Sequence, residues 1–297
     1  MSGDPRVLIV GAAGQLGVEL QQCFADHTEV VAADRALIDL AAPDRVRRFI
    51  RSVQPDVILN AGAYTAVDRA EQEPELAQAV NGRAPGIMAE ETLRRNALLV
   101  HYSTDYVFDG SKDGPWTETD TPHPLNVYGA TKLAGEEAIR GVGGRCLIFR
   151  TSWVYSAQGK NFLLTMLRLA GERDTLNVVD DQFGAPTSAA ELAHATRAIV
   201  DGVLAGRFAG SDLYHMTCSG ATSWYGFAQA IFARAGTLLH ERLPGVMPIA
   251  SADYPAEARR PRNSVLSNEK LREHFGIGLA PWETALDEVI AQLQYGG

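Results

Sequence analysis

Along the first half of the chain, short runs of consecutive apolar residues alternate with longer stretches in which apolar positions recur every three or four residues. The runs at 6–10 (RVLIV), 29–33 (EVVAA), 56–60 (DVILN), 98–103 (LLVHYS) and 145–150 (RCLIFR) are predicted strands. Their near-continuous apolar character suits strands covered on both faces of a parallel sheet. The stretches at 16–25, 44–52, 75–95 and 131–140 are predicted helices, and two further strands are expected at 176–179 and 213–216. This alternation implies an α/β fold of the Rossmann type, a doubly wound parallel sheet with right-handed crossovers. The segment 109–126 (DGSKDGPWTETDTPHPLN) is dense in turn formers and is predicted to be a long loop, either functional or mobile. From Ser219 the rhythm fades into separate helices joined by connectors carrying Pro244, Pro248, Pro255, Pro261 and Pro281.

The chain has 297 residues, 46% hydrophobic and 21% charged, within the range of ordinary globular proteins. Net charge is −9, from 36 acidic against 27 basic side chains, which disfavours a nucleic-acid partner. Cys23, Cys146 and Cys218 are odd in number and widely spaced, so neither a disulfide framework nor a structural zinc site is expected. The apolar run at 7–10 is far too short to span a bilayer and lacks a basic leader and a cleavage site. A cytoplasmic protein with no membrane partner is the expectation.

Gly11-Ala-Ala-Gly14-Gln-Leu-Gly17 follows the first predicted strand and opens the first predicted helix. Glycines at this spacing permit a tight turn, close backbone approach to a pyrophosphate, and close packing of helix on strand; the anion then meets free N–H groups at the helix N-terminus. Asp34 ends the second strand, 20 residues beyond Gly14, where a carboxylate accepts ribose hydroxyls and favours NADH; Arg35 beside it would instead pair with the 2′-phosphate of NADPH. Asp39 and Leu40 are candidates for flanking the adenine. The small residues after the third strand, through Ala63, Tyr64 and Thr65, would let a cofactor lie against backbone.

Tyr128-Gly-Ala-Thr-Lys132 is a YxxxK motif whose spacing puts both side chains on one face of a helix. A nearby ammonium is expected to lower the phenol's pKa from ~10 and so make it a better acid–base group. Ser103-Thr104 closes the fourth strand, with hydroxyls suited to a substrate carbonyl and the tyrosine. Together with the glycine turn, these residues point to hydride transfer to a carbonyl carbon, with Tyr128 delivering the proton. The sheet and turn would then form a dinucleotide-binding domain over 1–152 and about 172–218, and a substrate-binding lobe would comprise about 153–171 and 219–297.

At these residues the chain resembles the extended short-chain dehydrogenases/reductases, and within them it is similar to the dTDP-4-dehydrorhamnose reductases. The matching stretches are GAAGQLG (11–17), PDVILNAGAYTAVDRAE (55–71), VHYSTDYVFDG (100–110), PLNVYGATKLAGE (124–136), LIFRTSWVYS (147–156), NFLLTMLRLA (161–170) and DDQFGAPTSAAELA (180–193), with an echo in RPRNSVLSNEK (260–270). The resemblance implies reduction of the 4-keto group of a dTDP-linked deoxysugar with NADPH or NADH. It assigns Tyr128 as proton donor, Thr104 as its tuning partner and Lys132 as partner of ribose and phenolate. It lines the cofactor with Gly14, Gln15, Leu16, Asp34, Asp39, Leu40, Ala63, Tyr64, Thr65 and Tyr102, and brings Thr104, Asp105 and Trp153 to the nucleotide sugar. Sugar-nucleotide dehydratases of the superfamily follow the catalytic Thr with Asp-Glu; here Asp105 precedes Tyr106, so the elimination pair is missing. An epimerase or dehydratase and a non-catalytic regulatory subunit of the same fold remain the alternatives. Some relatives dimerise around magnesium held by glutamates. Glu19, Glu191 and Glu283 stand at comparable places, but only part of that set is present, so no metal is assigned and a homodimer stays open. Arg259, Arg260 and Arg262 form the basic cluster available to a substrate diphosphate, with a salt-bridged loop as the alternative.

Overall fold

The computed structural model describes residues 5–25, 29–236, 238–239 and 243–295. Five strands alternate with helices at the start: β1 Arg6–Val10, α1 Gln15–Phe24, β2 Glu29–Ala33, α2 Pro43–Val53, β3 Val57–Asn60, the short α3 Val67–Ala70 and α4 Pro74–Ala77, α5 Ala84–Arg95, β4 Leu98–Thr104, α6 Val127–Val142 and β5 Cys146–Thr151. Successive side chains of a strand face opposite ways. In β1 both sets are apolar: Val7 and Ile9 enter one core and Leu8 and Val10 the other, all fully buried. That is why the run reads as continuous rather than alternating.

The second part supplies β6 Val154–Tyr155, α7 Phe162–Glu172, β7 Thr175–Val179, β8 Phe183–Gly184, β9 Thr187–Ser188, α8 Ala189–Leu204, β10 Asp212–His215, β11 Thr222–Ser223, α9 Trp224–Arg234, β12 Gly245–Ile249, α10 Glu269–Phe275 and α11 Trp282–Tyr295. The main sheet has six strands, all parallel, in the order β10-β5-β4-β3-β1-β2. Helices α1 and α8 cover one face, and α2, α5 and α6 the other. The chain leaves β1 sideways for β2, then crosses back to β3 on the other flank. Connections from β1 and β2 therefore diverge, opening a crevice at the carboxyl ends of β1 and β3. Among the described residues no helix is long and apolar enough to cross a membrane.

Three expectations change. The strand expected at 176–179 forms as β7, but it pairs in parallel with β12, not with the main sheet. Of the span 172–218, α8 and β10 lie on the sheet while β7 joins a segment of the C-terminal part. The helix expected over 75–95 is interrupted: residues Gln78–Arg83 take a π-helical turn before α5. Pro85 has no N–H to offer the Asn81 carbonyl, so the ordinary ladder cannot continue there. The loop 109–126 is pinned rather than free, because Trp116 exchanges backbone hydrogen bonds with Val265 and Ser267, donates its indole N–H to the Asn263 carbonyl (2.9 Å) and stacks on Phe108.

Candidate active site

The glycine turn sits at the crevice. Gly11 has φ +79°, and a Cβ there would lie 2.6 Å from the Gly62 nitrogen after β3. A Cβ on Gly17 would lie 2.2 Å from the Gly11 carbonyl oxygen, so Gly17 lets α1 rest on the turn. The Gly11 and Ala12 amides donate to the Ala33 carbonyl, fastening the turn to β2. Gly14 is the N-cap of α1 and no side chain caps the first turn, which leaves backbone N–H groups and the positive end of the helix dipole for an anion.

A cavity of about 630 Å³ opens on this turn. Gly11, Gly14, Gln15 and Leu16 line it from the turn and α1; Asp34, Asp39 and Leu40 from the end of β2; Ala63, Tyr64 and Thr65 from the end of β3. Tyr102, Tyr128 and Lys132 close its inner end. Gly17, grouped with these from the sequence, is not in the lining and packs α1 against the turn. Asp34 Oδ1 accepts the amides of Ala36 and Leu37, while Arg35, exposed beside it, also lines the cavity. These residues suit a dinucleotide: an uncapped helix end for its pyrophosphate, flanked by a carboxylate for a ribose.

Helix α6 starts where Asn126 Oδ1 accepts the Gly129 amide (2.8 Å), which places Tyr128 in the first turn and Lys132 one turn on. The Thr104 side chain lies near the Tyr128 phenol and favours its ionised form. Thr104 Oγ1 in turn accepts the Tyr106 amide (3.2 Å) and donates to Asp105 Oδ1 (3.0 Å). Lys132 is buried; its ammonium donates to the Tyr102 carbonyl (2.5 Å) and lies 3.4 Å from His101 Nε2. Burial pulls the lysine down to about 8 and pushes Asp105 up to about 7. Burial also pushes Tyr128 up to about 12, against the opposing influence of the Thr104 side chain. The lowered phenol pKa expected from the YxxxK spacing is therefore not found: the ammonium is engaged by a carbonyl, and desolvation of the phenolate dominates. Behind these groups Ser103 and Arg150 both donate to the buried Glu136, joining β4, β5 and α6.

The structure brings Thr104 and Asp105 to Tyr128 but keeps them, and Trp153, out of the cavity lining. Trp153 stands at φ +48°, stacked on Trp224 with ring centroids 3.5 Å apart. Of the basic cluster, Arg260 is held by Asp68 (2.7 Å) and lies against Tyr106, whereas Arg259 and Arg262 are exposed. Glu191 accepts the Ala280 amide. Among the described residues no group of three or more His, Cys, Asp or Glu side chains is placed to hold a metal ion. Sequence reasoning missed Asn81, whose amide brackets the Tyr64 backbone, and Gly159 with Lys160, which line the cavity from beyond β6. Pro85 inside the predicted helix is the one signal that could have pointed to the first, and no motif marks the other two.

A dinucleotide crevice at the switch of strand order, sharing its inner wall with a tyrosine and a lysine on one helix, is the arrangement of a short-chain dehydrogenase/reductase. The family described as RmlD substrate binding domain matches residues 5–295. A dTDP-4-dehydrorhamnose reductase of Burkholderia thailandensis is 48% identical, over 97% of this chain and 99% of its own. The solved structure of a dTDP-4-dehydrorhamnose reductase ortholog from Clostridium acetobutylicum has a TM-score of 0.90 at 36% identity, covering 97% of this chain and 99% of that one. Another from Bacillus anthracis, solved in complex with NADP, has a TM-score of 0.88 at 32% identity, covering 98% and 100%. The chain belongs to the dTDP-4-dehydrorhamnose reductase family.

Proposed function

We propose that this protein reduces the 4-keto group of dTDP-4-dehydro-6-deoxy-L-mannose to give dTDP-L-rhamnose, with NADPH or NADH as reductant and Tyr128 as proton donor. The observation that carries the reading is that Tyr128 and Lys132, one turn apart on α6, line the inner end of the same cavity that the glycine turn lines. The reduced nicotinamide, when bound, supplies the hydride to the carbonyl carbon. Tyr128 holds its proton at neutral pH and gives it to the carbonyl oxygen as negative charge develops there. Thr104, fixed by the Tyr106 amide and Asp105, orients the phenol. Lys132, which lines the cavity one turn beyond Tyr128, is assigned to the nicotinamide ribose on the strength of the family resemblance. Asp105 and Trp153 are assigned to the nucleotide sugar on the strength of the family resemblance. The name and cofactor of the Bacillus anthracis structure support the same reaction class.

The test follows the absorbance of NADPH and of NADH after adding enzymatically generated dTDP-4-dehydrorhamnose. Stoichiometric consumption with formation of dTDP-L-rhamnose is expected. Folded protein that consumes neither cofactor would overturn the proposal.

A further inference from the structure

Three cations reach the lining of the large cavity: Arg35, Lys132 and Lys160. Arg35 follows β2, at the ribose end marked by Asp34. Lys132 lies at the opposite, inner end, one turn beyond Tyr128 and committed to the Tyr102 carbonyl. Lys160 comes from the segment between β6 and α7 and is held against the glycine turn itself. The anchor is Gln15, the first residue of α1, whose Oε1 accepts from Asn161 Nδ2 (2.7 Å) and Ser156 Oγ (3.2 Å). Gly159 has φ +77°, and a Cβ there would lie 3.1 Å from Gln15 Cγ. The segment is thus clamped on both sides of Lys160 to the residue that opens the anion-binding helix end. Lys160 is exposed and has no ion-pair partner among the described residues.

A chain of net charge −9 repels a dianionic pyrophosphate, and a helix N-terminus offers only about half a unit charge against it. We propose that Lys160 is the cation that holds the cofactor's pyrophosphate, delivered to the glycine turn by the segment between β6 and α7. The inference rests on the dinucleotide reading above and adds a residue to it. Its consequence is that the cofactor is gripped from two sides, by α1 and by a segment more than 140 residues away in sequence. A pyrophosphate contact is common to NADH and NADPH, so its loss weakens both by the same factor.

The experiment titrates the protein with NADH and with NADPH, without sugar, following nucleotide fluorescence at several salt concentrations. Lys160→Ala is expected to raise both Kd values about tenfold, as for loss of a charge-assisted hydrogen bond, and to flatten the dependence on salt. Lys160→Arg is expected to stay near the wild type. Unchanged Kd values in Lys160→Ala, with wild-type binding intact, overturn this inference and leave the reductase reading standing. A loss confined to NADPH assigns the cation to the 2′-phosphate and also overturns it. Wild-type protein that binds neither dinucleotide overturns both.

Discussion

Burial pushes the Tyr128 phenol up to about 12, so the side chain still carries at neutral pH the proton that reduction consumes. Removing that proton by Tyr128→Phe should lower kcat by about 10²–10⁴ while leaving the Kd for NADPH near its wild-type value, as read by steady-state rates and fluorescence titration. Beside Asp105, pushed up to about 7, a second group that titrates in the working range is Lys132, drawn down to about 8 by desolvation. It is an ammonium below that pH and a neutral amine above it, so kcat/KM for reduction should fall as pH rises through about 8. A Lys132→Met variant should be slower and lack that limb in its pH profile. At the other end of the cavity Asp34 and Arg35 pull in opposite directions. Asp34→Ala should raise KM for NADH more than for NADPH, and Arg35→Ala the reverse. The Tyr–Lys spacing and the glycine turn were legible because local spacing defines them. The direction of the phenol's shift was not, since it depends on how much water the surrounding strands exclude. Lys160 was invisible for a related reason: a single lysine gains meaning only from the Gln15 anchor across the fold.

Helix α6 carries glycines at 129, 135 and 141, alike in sequence and unlike in surroundings. A Cβ on Gly129 would lie 2.1 Å from the Tyr106 carbonyl oxygen, and one on Gly135 would lie 2.2 Å from that of Asn81. Nothing lies within 4 Å of the same atom on Gly141. Gly135→Ala should therefore cost about 1–3 kcal/mol through overpacking against backbone. Gly141→Ala, on the same helix, should stabilise by about 0.5–1 kcal/mol through reduced chain entropy. Urea titrations with equal slopes would read both. The opposite order would mean that α6 does not approach the π-helical turn as closely as described. Periodicity located β1 to β5 to within a residue or two at their ends, since apolar runs buried on both faces are a strong local signal. It could not say that β7 pairs with β12 rather than with the main sheet, because an apolar run does not encode its partner. Pro248 reads as part of a connector after Ser219; it lies in β12, which pairs with β7 alone, an edge where proline is tolerated.

The sheet face covered by α1 and α8 does not end at the edge of the dinucleotide-binding part. Its core runs from Val7, Ile9 and Val100 through Leu192 and Ile199 of α8 to Tyr155, Leu163, Phe227 and Leu286 in one cluster. Tyr155 and Phe227 meet edge-on at 5.3 Å, and Phe227 meets Trp282 at 5.9 Å. Composition and rhythm suggested a second lobe after Ser219, but they could not show that the two parts bury their apolar faces against each other. Polar ties cross as well: Arg260 to Asp68, Gln72 to Glu257, and Asn161 to Gln15. Shared burial on this scale couples the parts energetically, since neither keeps its core when the other opens. Three of the four tryptophans, Trp153, Trp224 and Trp282, lie beyond β5, whereas most of the parallel sheet lies before them. Tryptophan fluorescence therefore reports mainly on the C-terminal part and far-UV circular dichroism on the whole. Their urea transitions should coincide, and Phe227→Ala, fully buried in wild type, should move both midpoints together at a cost of about 3–5 kcal/mol. A fluorescence transition that precedes the loss of secondary structure, or a variant that shifts only one probe, would show two independent cores.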